Sequence, residues 1–164
     1  GSFKYSNTTV RCNQIAAELI SKGIDIESIN DELYATSSLN KINLYSRLLA
    51  RVNTAFNGAV AWGGMTRQDL VQSGATDEDA EGFIDFLRYL KEVKVSFFMT
   101  ELAHENHIRV SFRGRGPYDV NHVATYFQGG GHKKAAGCII NASLPDAEAM
   151  ILKRIQKEYR FRDQ

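Results

Sequence analysis

The chain has 164 residues, of which 43% are apolar, and its 20 basic and 19 acidic side chains leave a net charge of +1. This length and composition suit one ordinary domain with a substantial core, or one domain and a further fragment. The balanced charge excludes a uniformly basic surface, so any contact with nucleic acid needs a local patch.

Cysteine content and hydropathy narrow the class of protein further. Cys12 and Cys138 lie far apart and lack the spacing of a metal site, which is typical of buried thiols in a reducing compartment. No apolar run approaches the roughly 20 residues that cross a bilayer, and we find no secretory signal. We therefore expect a soluble cytoplasmic protein with no membrane partner; Gly1-Ser2 is either native or a cloning remnant.

Apolar residues at helical spacing predict two short helices at the start of the chain. Thr8 or Thr9 caps the first, Gly23 ends it, and Asp25 caps the second. Their inward faces are predicted to be Cys12, Ile15, Ala16 and Leu19 in the first helix and Ile26, Ile29 and Leu33 in the second.

Residues 35–39 form a small, polar break that we predict to be a linker. It divides the chain into a helical segment at 1–36 and a larger domain at 37–164. An apolar stripe predicts that this domain opens with a long helix over residues 40–56, ended by Asn57-Gly58.

Strand and helix patterns alternate through the rest of the chain. The first is a strand at 59–62 closed by Gly63-Gly64, and a helix at 66–72 follows it. Thr76 and Asp79 then open a helix whose inward residues are predicted to be Ala80, Phe83, Ile84, Leu87 and Leu90. Strands at 93–102 and 108–113 are joined by a hairpin turn at 104–107, and after them come a helix capped by Asp119, a strand at 138–140 and a last helix capped by Ser143 and Asp146. Strands separated by helices, with one hairpin, predict an α/β domain with a mixed β-sheet flanked by helices.

The stretch Gly129-Gly130-Gly131-His132 is the main candidate for a binding site. Three glycines remove every Cβ, so backbone N–H groups can lie against a ligand, and Lys133 adds positive charge. We predict a loop that cradles phosphate. The alternative is a tight turn whose glycines serve only backbone geometry.

The strand at 108–113 supplies a second part of this candidate site. A period of two places Ser111 and Arg113 on one face, and a guanidinium suits a phosphate in two-point contact. Because one short helix leads from this strand to the glycine stretch, we predict that the two are neighbours and converge on one phosphate. The alternative is that Arg109 and Arg113 are solvated charges.

Other polar and aromatic residues give weaker signals. Lys134 either extends the basic patch or is solvated, and Arg115 reaches either ligand or water. His104 and His107 lack a third ligand at metal spacing. We expect the aromatic residues Trp62, Phe97 and Phe98 to lie in the core.

These motifs together resemble a known family. Val110-Ser111-Phe112-Arg113, Asp119-Val120-Asn121, and Gly129-Gly130-Gly131-His132 followed by Ala135-Ala136-Gly137 are similar to the DHH-associated C-terminal domain of DHH-family phosphoesterases. The resemblance is strongest to the oligoribonuclease and 3′-phosphoadenosine 5′-phosphate phosphatase subgroup, often labelled exopolyphosphatase-related, which also includes cyclic dinucleotide phosphodiesterases. Residues 3–9 resemble the end of that family's catalytic domain, so 1–36 would be its tail and connector.

The resemblance implies how the work is divided in such an enzyme. Chemistry belongs to an N-terminal DHH domain that holds two Mn²⁺ or Mg²⁺ ions, and its Asp-His-His motif is absent from this sequence. Ser111, Arg113, Gly129–His132 and Lys133 would bind the terminal nucleotide of short RNA or a nucleotide phosphate. His132 would help to stabilise transition-state charge.

We accordingly expect a substrate-binding domain that is inactive without the metal-binding half. Two alternatives remain open: a free-standing nucleotide- or nucleic-acid-binding module, and the related domain of alanyl-tRNA synthetases. The sequence does not decide among short RNA, a 3′,5′-bisphosphate nucleotide, a cyclic dinucleotide and polyphosphate. It also leaves the oligomeric state open, a homodimer included.

Overall fold

A computed structural model describes most of the chain, in two compact units that comprise Gly1–Ser38 and Leu39–Gln164. The described residues are 3, 8–34, 37–103 and 106–161. Predictions for Gly1-Ser2, residues 4–7, residues 35 and 36 of the linker, and His104 and Glu105 of the hairpin turn lie outside them.

The first unit contains two helices, α1 (Val10–Ser21) and α2 (Ile26–Tyr34). Both predicted caps are confirmed: the Thr9 hydroxyl accepts the Cys12 N–H at 3.3 Å, and Asp25 accepts the Ser28 N–H at 3.0 Å. The predicted inward faces are wrong within this unit, since neither helix has a buried residue. Two helices of 12 and 9 residues offer too little surface to enclose a core.

The second unit is built on a six-stranded sheet in the order β1-β2-β3-β4-β6-β5. The strands are β1 (Asn53–Ala55), β2 (Val60–Met65), β3 (Val95–Glu101), β4 (His107–Gly114), β5 (Gly130–His132) and β6 (Ala135–Asn141). β2 and β3 run parallel and the other neighbours antiparallel, which confirms the predicted mixed sheet. Hairpins join β1 to β2, β3 to β4 and β5 to β6, so the prediction of a single hairpin is wrong.

Helices cover the two faces of the sheet unequally. They are α3 (Leu39–Leu49), α4 (Arg67–Ser73), α5 (Phe83–Leu87), α6 (Asn121–Tyr126) and α7 (Leu144–Tyr159), with a short 3₁₀ helix at Glu78–Ala80. On one face α6 and α7 pack on side chains from β2, β3, β4 and β6. On the other face α3, α4 and α5 pack on side chains from β2 and β3. Among the described residues, no helix is long and apolar enough to cross a membrane.

The predicted helix over residues 40–56 is too long. The helix ends at Leu49, and Asn53–Ala55 pairs with β2 as a strand. The apolar stripe combined residues from two different hydrophobic clusters. Leu44 and Leu48 of α3 pack on one face of the sheet, whereas Phe56 packs on the opposite face. Phe56 and Asn57 turn the chain with φ of 54° and 57°.

Predictions around three further glycines also need correction. Gly63 and Gly64 continue β2 instead of closing it, and a Cβ at Gly64 would lie 2.8 Å from Cδ2 of Leu144. Gly82, at φ +85°, interrupts the helix predicted after Thr76. That segment is a 3₁₀ turn followed by α5, because a left-handed residue cannot continue a right-handed helix.

Candidate functional site

The uncovered part of the second sheet face is the candidate site. Along β4, Ile108, Val110 and Phe112 are buried on the α6 and α7 side, which confirms the predicted alternation. The residues between them point to the side where α3, α4 and α5 pack mainly on β2 and β3, and α5 reaches the end of β4 at Arg113. We call this uncovered surface the open face; its residues are Arg109, Ser111, Arg113, Gly130, His132, Ala135, Gly137 and Ile139.

The strand register aligns the predicted residues in two rows across the open face. Ser111 lies opposite Gly137, which lies opposite Gly130. Arg113 lies opposite Ala135, which lies opposite His132. Directly opposite residues share a face of the sheet. Ser111, Arg113 and the glycine stretch therefore share one surface.

The predicted details of this convergence need two corrections. The glycine stretch is not a loop: Gly130–His132 is the edge strand β5, and Lys133 and Lys134 form its turn into β6. β4 and β5 are not neighbours, because β6 lies between them. Two strand spacings, about 10 Å, separate their backbones, so one small anion cannot contact both backbones.

The three glycines have different roles. A Cβ at Gly129 would lie 2.1 Å from the Gly137 carbonyl oxygen, and one at Gly131 would lie 2.6 Å from the Ala135 oxygen. Gly131 also has φ +149°. A Cβ at Gly130 would have no atom within 4 Å. Close backbone packing therefore explains Gly129 and Gly131, whereas Gly130 leaves space on the open face.

Arg113 is a cation of the open face that is held by two contacts. Its Nη1 donates to the Phe112 carbonyl oxygen at 3.1 Å, and its Nε lies 3.4 Å from Oδ1 of Asp85 on α5. Its side chain remains 27% exposed, so an incoming anion can reach it. Asp85 could not be predicted as a partner of Arg113, because no sequence pattern links residues 28 positions apart.

A cleft of about 340 Å³ adjoins this cation. Arg109, Ser111 and Arg113 form one wall, and the segment around the 3₁₀ helix forms the other. Asp77 in that segment is paired with Arg67 at 2.7 Å, which reduces its repulsion of an anion. The cleft therefore combines a hydroxyl with two guanidinium groups at its β4 wall.

The neighbouring cations point elsewhere. Lys134 Nζ donates to the carbonyl oxygens of Gly116 and Tyr118. Arg115 donates to the carbonyl oxygen of Lys91 at 3.2 Å and also to that of Arg88. Both side chains brace turns and remain exposed to solvent, so of the predicted alternatives the one in which they reach water agrees with the structure. Lys133 is exposed in the β5–β6 turn, next to His132.

The aromatic residues predicted to lie in the core are found there, and only one of the two histidines considered as metal ligands is described. Trp62 is 7% exposed and stacks on Phe97 at 5.6 Å, within the core as predicted. Phe98 is also buried. His107 lies on β4, whereas His104 is not described. Within the described ranges, no group of three His, Cys, Asp or Glu side chains could hold a metal ion.

Residues 57–160 match the family described as the DHHA1 domain. Two curated relatives are bifunctional oligoribonuclease and PAP phosphatase NrnA proteins. That of Thermus thermophilus is 29% identical over 159 residues, 96% of this chain and 47% of the relative. That of Bacillus subtilis is 30% identical over 140 residues, 85% of this chain and 43% of the relative. The chain thus spans less than half the length of either relative.

Solved structures share the fold. An exopolyphosphatase-related protein from Bacteroides fragilis superposes with a TM-score of 0.86 at 27% identity, over 94% of this chain and 45% of that one. The pGpG-specific phosphodiesterase PggH from Vibrio cholerae superposes with a TM-score of 0.54 at 14% identity, over 94% of this chain and 54% of that one. The second likeness concerns the fold alone.

Proposed function

Because the chain belongs to the DHHA1 domain family, we propose that it is the substrate-binding part of a metal-dependent phosphoesterase. We propose short RNA and 3′-phosphoadenosine 5′-phosphate as the substrates. The names of the curated relatives combine an oligoribonuclease with a PAP phosphatase, which supports both. The open face is the observation that carries this proposal.

The open face offers the contacts that a terminal nucleotide phosphate needs. Arg113 presents a guanidinium, which forms short, charge-assisted hydrogen bonds to phosphate oxygens. The Ser111 hydroxyl lies two residues away on the same face of β4, and Arg109 follows at the same spacing. At the outer edge, Gly130 leaves the backbone uncovered, with His132 and Lys133 next to it. A ligand that spans several groups, such as a nucleotide with two phosphates, can use more than one of these contacts.

Hydrolysis itself needs groups that the described residues do not supply. Two metal ions would activate water and stabilise charge at phosphorus, but the described side chains do not fit a metal site. We therefore assign no chemical step to this chain. In our proposal a DHH domain carries the metals and is the partner of the open face.

Calorimetric titration of the 164-residue chain tests the proposal. We expect adenosine 3′,5′-bisphosphate and the dinucleotide pApA to bind, and adenosine to bind far more weakly. Arg113→Ala is expected to lower the affinity for both phosphates by about 10- to 100-fold, the range for a charge-assisted contact. Unchanged affinity in that variant would contradict the proposed site.

Two controls accompany the titration. Tripolyphosphate separates recognition of a nucleotide from recognition of phosphate alone, since binding indifferent to the base would favour a polyphosphate substrate. We expect the chain with Mn²⁺ to show negligible turnover of pApA, because its described residues include no group of side chains that could bind a metal ion. Measurable turnover by pure protein would contradict the proposal that a DHH domain, and not this chain, carries the catalytic metals.

A further inference from the structure

A groove leads away from the open face around the outer edge of β6. β5 pairs only with residues 135–137, so in the part of the chain that the structure describes no strand covers the outer side of residues 138–141. A cavity of about 910 Å³ lies along this edge. We call it the edge groove. It shares Arg109 and Ser111 with the cleft on the open face, so the two spaces adjoin.

The other end of the edge groove adjoins a basic surface of α7. A further cavity of about 300 Å³ shares Tyr126, Phe127 and Met150 with the edge groove. Its remaining lining residues are Lys153, Arg154 and Lys157, with no carboxylate among them. Met150, Lys153, Arg154 and Lys157 follow helical spacing and form one stripe. We call these four residues the basic stripe.

The side chains of the basic stripe leave two cations available to a ligand. The Arg154 guanidinium lies 4.6 Å from the centre of the Tyr126 ring and pairs with Glu158. Lys153 and Lys157 are exposed and pair with no carboxylate among the described residues. Tyr126 is 63% exposed and is held by the arginine on its ring. The stripe thus places two unpaired lysines beside the oriented ring of Tyr126.

These features match the chemistry of single-stranded nucleic acid. Proteins bind such strands with cations that follow the phosphates and aromatic rings on which bases stack. A second copy of the chain is a poorer occupant, since a twofold interface would bring Lys153 and Lys157 near their own counterparts. The charge of the surface therefore favours an RNA strand.

We propose that an RNA strand of three or more nucleotides continues from the open face through the edge groove to the basic stripe. This inference rests on the proposed function, because the open face must hold the terminal nucleotide. Dinucleotides and nucleoside bisphosphates end within the open face and the start of the groove. Longer strands gain contacts with Tyr126, Lys153 and Lys157.

Fluorescence anisotropy with labelled 5′-phosphorylated oligoadenylates tests the proposal. We expect the pentanucleotide to bind the 164-residue chain about tenfold more tightly than the dinucleotide, through additional stacking and phosphate contacts. Lys153→Ala with Lys157→Ala is expected to remove this advantage and to leave the dinucleotide affinity unchanged. The slope of log affinity against log salt for the pentanucleotide falls by about 1.4, or about 0.7 per lost contact.

Two further variants separate the groove from general charge and folding effects. Lys41→Ala with Lys91→Ala removes the same charge from positions outside the three cavities, and we expect both RNAs to bind as in the wild type. Tyr126→Leu keeps apolar bulk and loses the ring. We expect it to weaken the pentanucleotide by about fivefold without changing dinucleotide affinity.

The outcomes distinguish this inference from the function on which it rests. If the dinucleotide binds but the pentanucleotide binds no more tightly, the edge groove is not an RNA path. The same conclusion follows if the Lys41→Ala, Lys91→Ala variant weakens pentanucleotide binding as much as the Lys153→Ala, Lys157→Ala variant does. If neither RNA binds, the proposed function fails and the inference fails with it. If the RNA-free protein is a dimer that the Lys153→Ala, Lys157→Ala substitutions dissociate, and RNA affinity is unchanged, a second copy of the chain occupies this surface and the inference is overturned.

Discussion

Arg113 of β4 and Asp85 of α5 form a salt bridge across the rim of the open face, with Nε and Oδ1 3.4 Å apart. The carboxylate is half exposed and also lies 3.6 Å from Arg88. A phosphate bound to Arg113 would meet this negative charge. Since the Phe112 carbonyl also holds the guanidinium, Asp85 is not its sole support.

We therefore predict that Asp85→Asn binds phosphate more tightly than the wild type. The amide keeps the shape of the side chain and removes a like charge, which is worth about 1 kcal/mol at this separation near water. The expected gain is up to about fivefold in affinity for adenosine 3′,5′-bisphosphate, measured by calorimetry. Weaker binding would show instead that Asp85 is needed to position Arg113.

Replacing single glycines separates packing from binding. Gly129→Ala is expected to lower the free energy of unfolding by about 3 kcal/mol, because its Cβ would lie 2.1 Å from the Gly137 oxygen. Gly130→Ala is the matched control, since a Cβ there meets no atom within 4 Å. Urea denaturation measures both variants. We expect Gly130→Ala to keep native stability and to weaken nucleotide binding, because its methyl group enters the row of Ser111 and Gly137.

Asp69 makes stability depend on acid pH. Burial raises the pKa of Asp69, but hydrogen bonds from Arg51 and Thr66 outweigh burial and hold that pKa below its ordinary value. The folded chain therefore binds this proton less readily than the unfolded chain. The resulting stability is present above about pH 4 and is lost as pH falls through the lowered pKa.

The test compares Asp69→Asn with the wild type across pH. We expect the variant to be less stable by about 2 kcal/mol at pH 7, the size of a charge-assisted bond. The difference should shrink as the pH falls below about 4. Urea denaturation at each pH measures it, and a difference that stays constant would rule out titration of Asp69 as the cause.

The two cysteines are expected to differ in reactivity. Burial raises the pKa of the Cys138 thiol to about 11, so it stays protonated at neutral pH. Cys12 is exposed, and the hydrogen bond from the Thr9 side chain lowers its pKa. We predict that iodoacetamide labels Cys12 in the folded chain and reaches Cys138 only after unfolding. Mass spectrometry of the labelled peptides reads out each site.

Local rules account for the elements that the sequence predicts well. A capping side chain and the N–H from which it accepts a hydrogen bond lie within three residues, so the caps at Thr9 and Ser143 are visible in the sequence. The alternation along β4 is equally visible, because one face is packed and the other is not. These signals led to Ser111 and Arg113 and to their shared face.

Elements that depend on distant partners were not predictable in the same way. β1 and β5 have three residues each, and pairing with a neighbouring strand makes them strands. The position of β6 between β4 and the glycine stretch follows from sheet order, which residue spacing does not encode. The contacts that hold Arg115 and Lys134 involve backbone carbonyls, which any residue supplies.

The unequal covering of the two sheet faces has a thermodynamic consequence. A ligand in contact with Ser111, Gly130 and Arg113 alone would bury little apolar surface. Its binding should therefore change the heat capacity only slightly. An RNA strand that reaches Tyr126, Phe127 and Met150 would bury apolar surface and add a negative heat-capacity change. The temperature dependence of the binding enthalpy would thus report how far along the molecule a ligand extends.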